Sequence, residues 1–278
     1  MTLPALCCPG CGAQLHALSL TCSPCGLRYP QSGDVPILLP GAQMPPALPT
    51  SADDALKNFF KRWPRLYAVL FALVGPAFLT GLTSKRFAAS LPADARILNA
   101  GSGSRRLNGN CLHVDLLPFK GVDLVADLRA LPLPDACMDA VTSEQVLEHV
   151  PQPHRAAAEM IRVTKPGGLI HVAIPFMFPW HPSPSDYTRW TFEGLADLFP
   201  GCTVVRKGIA AGPCSAFVGF NAAFLATICS CGLPALQSAL QYGFLVLLAP
   251  IKVLDLIFAR LPGAELCASE VWMVLRRD

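Results

Sequence analysis

The chain has 278 residues, 52% of them apolar and only 15% charged, with a net charge of +3 at neutral pH. That length holds one full α/β domain plus a small appendage, and the small net charge excludes a broad basic footprint for nucleic acid. Twelve cysteines in so long a chain do not read as a disulfide scaffold. Met1 to Cys8 lack a basic region followed by an apolar core, so no secretory signal is read and a cytoplasmic catalytic domain is expected.

The N-terminal segment carries two C-x-x-C knuckles, Cys8-Pro9-Gly10-Cys11 and Cys22-Ser23-Pro24-Cys25, each followed by a glycine, Gly12 and Gly26. Thiolates from two such turns can surround one tetrahedral zinc ion, and the glycines let backbone amides face the sulfurs. With Cys8, Cys11, Cys22 and Cys25 all protein ligands, no position stays open for water, so the metal expected is structural. Cys7 is an alternative ligand that the regular spacing disfavours. The segment from Leu6 to Leu39 resembles the zinc-ribbon family that includes the activator subunit of tRNA and protein methyltransferases, through its knuckles, Tyr29-Pro30 and the run Gly33 to Leu39. The usual form has an aspartate before the glycine, whereas here the order is Gly33-Asp34. The other cysteines, Cys111, Cys137, Cys202, Cys214, Cys229 and Cys231 among them, sit in apolar contexts and read as buried free thiols.

Pro40 to Pro49 is rich in proline and small residues and reads as a linker. Leu56 to Leu82 then places Lys57, Lys61, Arg62 and Arg65 before the apolar run Leu66 to Val74. This is a basic helical pattern that suits either packing on a sheet or a membrane surface.

Four apolar strand signals follow. Ile97-Leu98-Asn99-Ala100 runs into the turn Gly101-Ser102-Gly103-Ser104, Cys111 to Val114 ends at Asp115, Val122 to Val125 leads to Asp127-Leu128, and Met138 to Ser143 runs into Glu144-Gln145. Glycines directly after a strand let the backbone approach a ligand closely. An acid at the end of the next strand can accept both hydroxyls of a ribose, and strand ends along one edge of a parallel sheet are where open α/β folds bind ligands.

At these residues the chain resembles the class I S-adenosylmethionine-dependent methyltransferases, in their type 11 group. The resemblance implies Asn99, Ala100, Gly101, Ser102 and Gly103 around the methionine moiety, Asp115 with Leu116 at the ribose, Asp127 with Leu128 at the adenine, and Ser143 and Gln145 beside the sulfonium. Lys165-Pro166-Gly167-Gly168 resembles the family's turn before its fifth strand, Leu169 to Ile174. Asn99 stands where the family usually has an acid, and Ser104 lies where it often has a third glycine. Glu148 and His149 lie just beyond the cofactor motif and read as mainly structural.

The loop after the fifth strand brings His181, Asp186, Tyr187 and Arg189 among aromatic residues. His181 has a pKa suited to a general base, Asp186 suits a base or an orienting group for that histidine, and Tyr187 and Arg189 suit acceptor binding. The bland alternative has Asp186, Arg189 and Trp190 bracing the helix Phe192 to Phe199. Cys202 to Arg206 and Glu270 to Leu275 read as the last two strands. Positions 208 to 251 between them carry no Asp, Glu, Lys, Arg or His. Because the flanking strands share one sheet, this insertion must leave and return on one side, which suits a helical hairpin on or in a membrane. Lys252, Arg260, Arg276 and Arg277 are candidate interface cations.

The expected fold class is α/β: a Rossmann-like, seven-stranded methyltransferase sheet with an N-terminal zinc ribbon and an apolar helical insertion between the last two strands. The expected units are a ribbon at 1–40, a linker at 41–55 and a methyltransferase domain at 56–278, with the insertion at 213–263. The expected cofactors are S-adenosylmethionine and a structural zinc. The expected acceptor is an oxygen on a lipid-linked or amphiphilic small molecule or glycan, met at the inner face of the membrane through peripheral or monotopic contact. The rival readings are an RNA methyltransferase, which the low charge disfavours, and a membrane-associated S-adenosylmethionine-binding protein without turnover.

Overall fold

The structure is a computed structural model that describes residues 5–16, 19–44, 78–181 and 185–278. The expected linker beyond residue 44 and nearly all of the basic helical run at 56–82 lie outside the described residues.

Nine strands form one sheet in the order β1-β2-β5-β4-β3-β6-β7-β9-β8. The central strands β3 (Ile97–Ala100), β4 (Cys111–Asp115), β5 (Leu124–Ala126), β6 (Met138–Glu144) and β7 (Thr164–Pro175) are mutually parallel. Their near-continuous apolar runs follow from burial on both faces. β8 (Cys202–Ala211) and β9 (Glu270–Arg277) close the far edge in antiparallel pairing. These seven strands are those expected. β8 continues past Arg206 because residues up to Ala211 pair with β9. The Lys165–Gly168 tetrad bulges from β7 between its pairings at Thr164 and Leu169, with Gly167 at φ +76°.

The other two strands come from the cysteine-rich segment. β1 (Gln31–Ser32) turns back into β2 (Val35–Leu38), and β2 pairs in parallel with β5 through Ile37 and Leu38. Leu6, Leu15, Leu20 and Tyr29 belong to the same buried cluster as Leu98, Val114 and Val141. The ribbon segment therefore extends the main sheet and shares its core.

Helix α1 (Ser84–Ala89) starts at Thr83, whose hydroxyl accepts from the Arg86 N–H. Helix α2 (Pro153–Val163) buries Ala156, Ala157, Met160 and Val163, a helical-period stripe facing the sheet. Helix α3 (Phe192–Asp197) is capped by Thr191, whose Oγ1 accepts from Gly194 N–H at 3.2 Å. Asp186, Arg189 and Trp190 do not provide that cap.

Between β8 and β9 the insertion forms α4 (Pro213–Cys229), α5 (Pro234–Lys252) and α6 (Asp255–Phe258). It leaves and re-enters at one sheet edge, because Ala211 pairs with Glu270. Val218, Ala222 and Leu245 pack α4 against α5. The outer faces leave Phe217, Phe224, Ile228 and Leu247 exposed, the last at 70%. Among the described residues, α5 is the one helix long and apolar enough to cross a membrane. The candidate interface cations need correction. Lys252 is buried at 1% exposure, and Arg277 donates to the Ile161 and Arg162 carbonyls at the sheet edge opposite the insertion.

The hairpin is pinned by one buried carboxylate. Asp255 accepts from the N–H groups of Cys214 and Ser215 and from the Ser215 hydroxyl, at 2.8, 2.9 and 2.7 Å. It thus satisfies first-turn donors of α4 that no helical carbonyl reaches. At Gly212 a Cβ would stand 2.4 Å from Asp255 Oδ1, so glycine keeps this approach open. Asp255→Ala is expected to cost about 2 kcal/mol in urea unfolding, because it strands those donors. An unchanged midpoint would show that the hairpin does not depend on this anchor.

Candidate active site

The strand order reverses between β3 and β6, the position where open α/β sheets bind ligands. The turn after β3 has Gly101 at φ +76° and Gly103 at φ +53°. A Cβ on Gly101 would lie 2.4 Å from a Val146 methyl, so this residue has no alternative. The N–H groups of Gly101 and Ser102 both reach the Val114 carbonyl, at 2.9 and 3.0 Å. Asp115 closes the turn by accepting from Gly103 N–H at 2.8 Å and Leu117 N–H at 3.0 Å. Burial raises the Asp115 pKa, and those backbone donors oppose the shift. Each carboxylate oxygen keeps a lone pair for a further donor such as a ribose hydroxyl.

Asn99 is buried in β3 beside His113 and Thr142. Ala100 and Ser102 are buried, whereas Leu116 is 42% exposed beyond Asp115. Ser143 and Gln145 follow on the neighbouring strand end. Ser143 Oγ and Gln145 Nε2 are buried without a hydrogen-bond partner among the described residues. Such orphaned atoms next to a glycine turn fit a polar ligand that supplies the missing bonds. Leu128 is buried. Asp127 is not the free acceptor expected: Arg129 grips its carboxylate through Nε and Nη2, the latter at 2.6 Å. Burial would raise Asp127, but the Arg129 bonds outweigh it and hold the carboxyl below its ordinary range. Any further donor that reached Asp127 would share it with Arg129.

Val146 links this turn to a second cluster. It leads directly into the 3-10 turn Leu147–His149, and Glu148 in that turn is fully buried. Burial pushes the Glu148 carboxyl up to about 7. His149 Nδ1 bonds to the Ser185 carbonyl, and the His149 and His181 rings meet edge-on with centroids 5.1 Å apart. His181 Nδ1 lies 3.2 Å from the Pro179 carbonyl and 3.2 Å from Asp186 Oδ2. Burial lowers the His181 pKa, which keeps the ring neutral near pH 7. Arg189 holds Asp186 through both terminal nitrogens, and that bonding sets its carboxyl at about 2. Asp186 is therefore an orienting anion for His181 and a poor base. Tyr187 donates its backbone N–H to the Glu148 carbonyl and leaves its side chain 56% exposed. Glu148 and His149, which the sequence places as mainly structural residues, stand beside His181. Their adjacency just past the cofactor motif was visible, but their convergence with His181 depends on the loop's path.

At the N-terminus, Cys8, Cys11, Cys22 and Cys25 converge, with Cys8–Cys25 and Cys11–Cys22 sulfur separations of 3.9 and 3.5 Å. A tetrahedral ion with bonds of about 2.3 Å requires sulfur separations of about 3.8 Å, so the set fits zinc. Gly12 and Gly26 adopt positive φ and donate to the Cys8 and Cys22 carbonyls, closing each knuckle. Tyr29 Oη lies 3.1 Å from the Cys8 sulfur. Cys7 stands outside the set and donates its N–H to the Pro132 carbonyl.

Residues 104–172 match the family described as a methyltransferase domain. Among curated relatives, a methyltransferase of Mycobacterium leprae is 49% identical over 55 residues, 20% of each chain. A demethylmenaquinone methyltransferase of Renibacterium salmoninarum is 43% identical over 76 residues, 27% of this chain and 32% of that one. The chain thus spans about a fifth to a third of the length of these relatives. Among solved structures, Haemonchus contortus phosphoethanolamine N-methyltransferase 2 is 12% identical with a TM-score of 0.45, over 80% of this chain and 59% of that one. A TehB-like methyltransferase from Corynebacterium glutamicum is 14% identical with a TM-score of 0.43, over 81% of this chain and all of that one. At these scores the structural likenesses carry no part of the functional reading. The family match runs from Ser104, at the end of the glycine turn, into β7; it includes Asp115, Asp127, Ser143 and Gln145 but not Asn99 to Gly103, and over that stretch the chain is similar to methyltransferase domains.

Proposed function

We propose that the protein transfers the methyl group of S-adenosylmethionine to an oxygen of a lipid-linked or amphiphilic small molecule or glycan. The observation that carries the acceptor class is an apolar cavity of about 580 Å³ at the base of the insertion, lined by Pro213, Phe217, Phe220, Ile251 and Phe258 and by Met177 of the loop that leads to His181. Helix α4 approaches the same loop closely, since a Cβ on Gly219 would touch Pro179 at 3.4 Å. An apolar tail in this cavity places a polar head toward His181.

Methyl transfer is an in-line displacement on an activated sulfonium, so alignment and exclusion of water supply most of the catalysis. Gly101, Gly103 and Asp115 hold the cofactor, Ser143 and Gln145 complete its polar contacts, and His181 meets the acceptor hydroxyl with Asp186 fixing its ring. Tyr187 presents an exposed aromatic face to the acceptor. The Cys8, Cys11, Cys22 and Cys25 set holds a structural zinc. The exposed apolar faces of α4, α5 and α6 lie on the inner surface of a membrane, which concentrates an amphiphilic acceptor at the site.

Three measurements test this reading. Asp115→Ala is expected to weaken S-adenosylmethionine binding by about 1–3 kcal/mol in calorimetry, and unchanged affinity would remove Asp115 from the cofactor site. Elemental analysis should find about one zinc per chain, lost in Cys22→Ser together with a lower thermal midpoint, because the ribbon shares the main core. Zinc retained in that variant contradicts the ligand set. The full chain should float with lipid vesicles and resist salt extraction, since apolar burial holds it. Replacing 213–263 with a short Gly/Ser loop should abolish flotation while cofactor binding persists. A full chain that stays monodisperse without detergent and ignores vesicles would sink the membrane part of the proposal.

A further inference from the structure

We infer that Glu148, His149 and His181 form a binding site for one divalent transition-metal ion next to the methyl-transfer position. Each offers one ligand atom, and these atoms all lie within 4.8 Å of one another. Glu148 is 0% exposed, and neither of its carboxylate oxygens has a hydrogen-bond partner among the described residues. A buried carboxylate without hydrogen bonds is costly unless a cation compensates it. The guanidinium of Arg189 bonds Asp186 through both terminal nitrogens, and its Nε, buried without a partner among the described residues, makes no hydrogen bond to Glu148.

The outer contacts of the two imidazoles match those of metal ligands. His149 Nδ1 bonds the Ser185 carbonyl, and His181 Nδ1 faces the Pro179 carbonyl and Asp186. A carbonyl only accepts, so His149 carries its proton on Nδ1 and keeps the Nε2 lone pair for the site, whereas His181 Nδ1 faces the Pro179 carbonyl and the Arg189 Nη2 donor alike, each at 3.2 Å, and either of its nitrogens can serve as the ligand. Carbonyl or carboxylate partners on the distal nitrogen are what fix metal-binding histidines in tautomer and orientation. His149 Nε2 lies 3.7 Å from Glu148 Oε1. Two imidazoles and a carboxylate then converge, and the Glu148 oxygens have no hydrogen-bond donor among the described residues, an arrangement a cation resolves. Bonds of about 2.0–2.1 Å in a tetrahedral site need ligand separations of roughly 3.3 Å, within reach of small side-chain rotations.

Two nitrogens and one carboxylate oxygen suit borderline ions such as iron(II) or cobalt(II), and three protein ligands leave positions open. This deepens the proposed methyl transfer and rests on that reading only for what fills an open position, an acceptor hydroxyl oxygen. The ion acidifies that hydroxyl, and its proton leaves to water. The oxygen forms a bond to the methyl carbon, the carbon–sulfur bond breaks, and its electron pair stays on sulfur. The ion is unchanged at the end.

The test uses the full chain with its cysteine ribbon loaded with zinc, titrated with cobalt(II) and followed by visible absorption. The expected result is one equivalent of cobalt with d–d bands of a nitrogen and oxygen site, without the thiolate charge-transfer bands that would report exchange into the ribbon. Glu148→Gln and His181→Ala should each weaken cobalt binding roughly tenfold or more, while S-adenosylmethionine affinity measured by calorimetry stays unchanged and shows that both variants fold. Failure to bind cobalt outside the ribbon, or binding indifferent to both substitutions, overturns the inference, and a proton shared by Glu148 and His149 then occupies the space. Site-specific cobalt binding without methylation of any hydroxyl acceptor upholds the metal site and removes the acceptor reading instead.

Discussion

The absence of a side chain at Gly101 is the constraint on which the site depends. This residue ends β3 with its backbone pressed against the Val146 methyls, where a Cβ would fall 2.4 Å from one of them. Val146 begins the turn that buries Glu148 and presents His149. The close approach of Gly101 to Val146 therefore couples the glycine turn after one strand to the Glu148–His149 turn beyond the next. A side chain at Gly101 would push the two apart, and methyl transfer is steeply sensitive to such separation. Asp115 acts from the other side, holding the turn through Gly103 and Leu117.

The insertion follows from an equally simple constraint. β8 and β9 pair along their whole length, so the intervening chain must begin and end at one point on the sheet edge. Asp255 makes that closure specific by binding the start of α4 from the start of α6. The loop carrying His181 lies against the same base, with Met177 N–H bonded to the Ala268 carbonyl. The hairpin thus rises beside the apolar cavity lined by Met177, Pro213 and Phe217.

Much of the fold was legible because its signals are local. Apolar runs ending in Asp115, Asp127 and Glu144 marked strands whose buried faces permit little else, and the two spaced knuckles marked the cysteine cluster. What depends on long-range pairing was not legible. Val35–Leu38 is visibly strand-like, but nothing in it names β5 as its partner. The grip of Arg129 on Asp127 and of Arg189 on Asp186 turns expected free carboxylates into committed ones. Lys252 follows an uncharged run and reads as an interface cation, yet the packing of α5 buries it. Such charges are decided by tertiary geometry, which residue type alone does not encode.

The burial pattern along the carboxyl edge of the sheet adds an electrostatic argument. Glu144 ends β6, Glu148 lies just beyond it, and Glu270 begins β9 at the same edge. Burial, with the charges of Glu144 and Glu148, raises the Glu270 carboxyl to about 8. Only Glu144 among the three carries a salt bridge among the described residues to an arginine, Arg105, at 3.0 Å. An edge so rich in carboxyl groups favours a cationic ligand over a neutral one of the same shape, because a cation lets these groups ionise without mutual repulsion. A sulfonium carries that charge and the thioether left after methyl transfer does not. On charge alone, then, this edge discriminates a sulfonium from a thioether of the same shape.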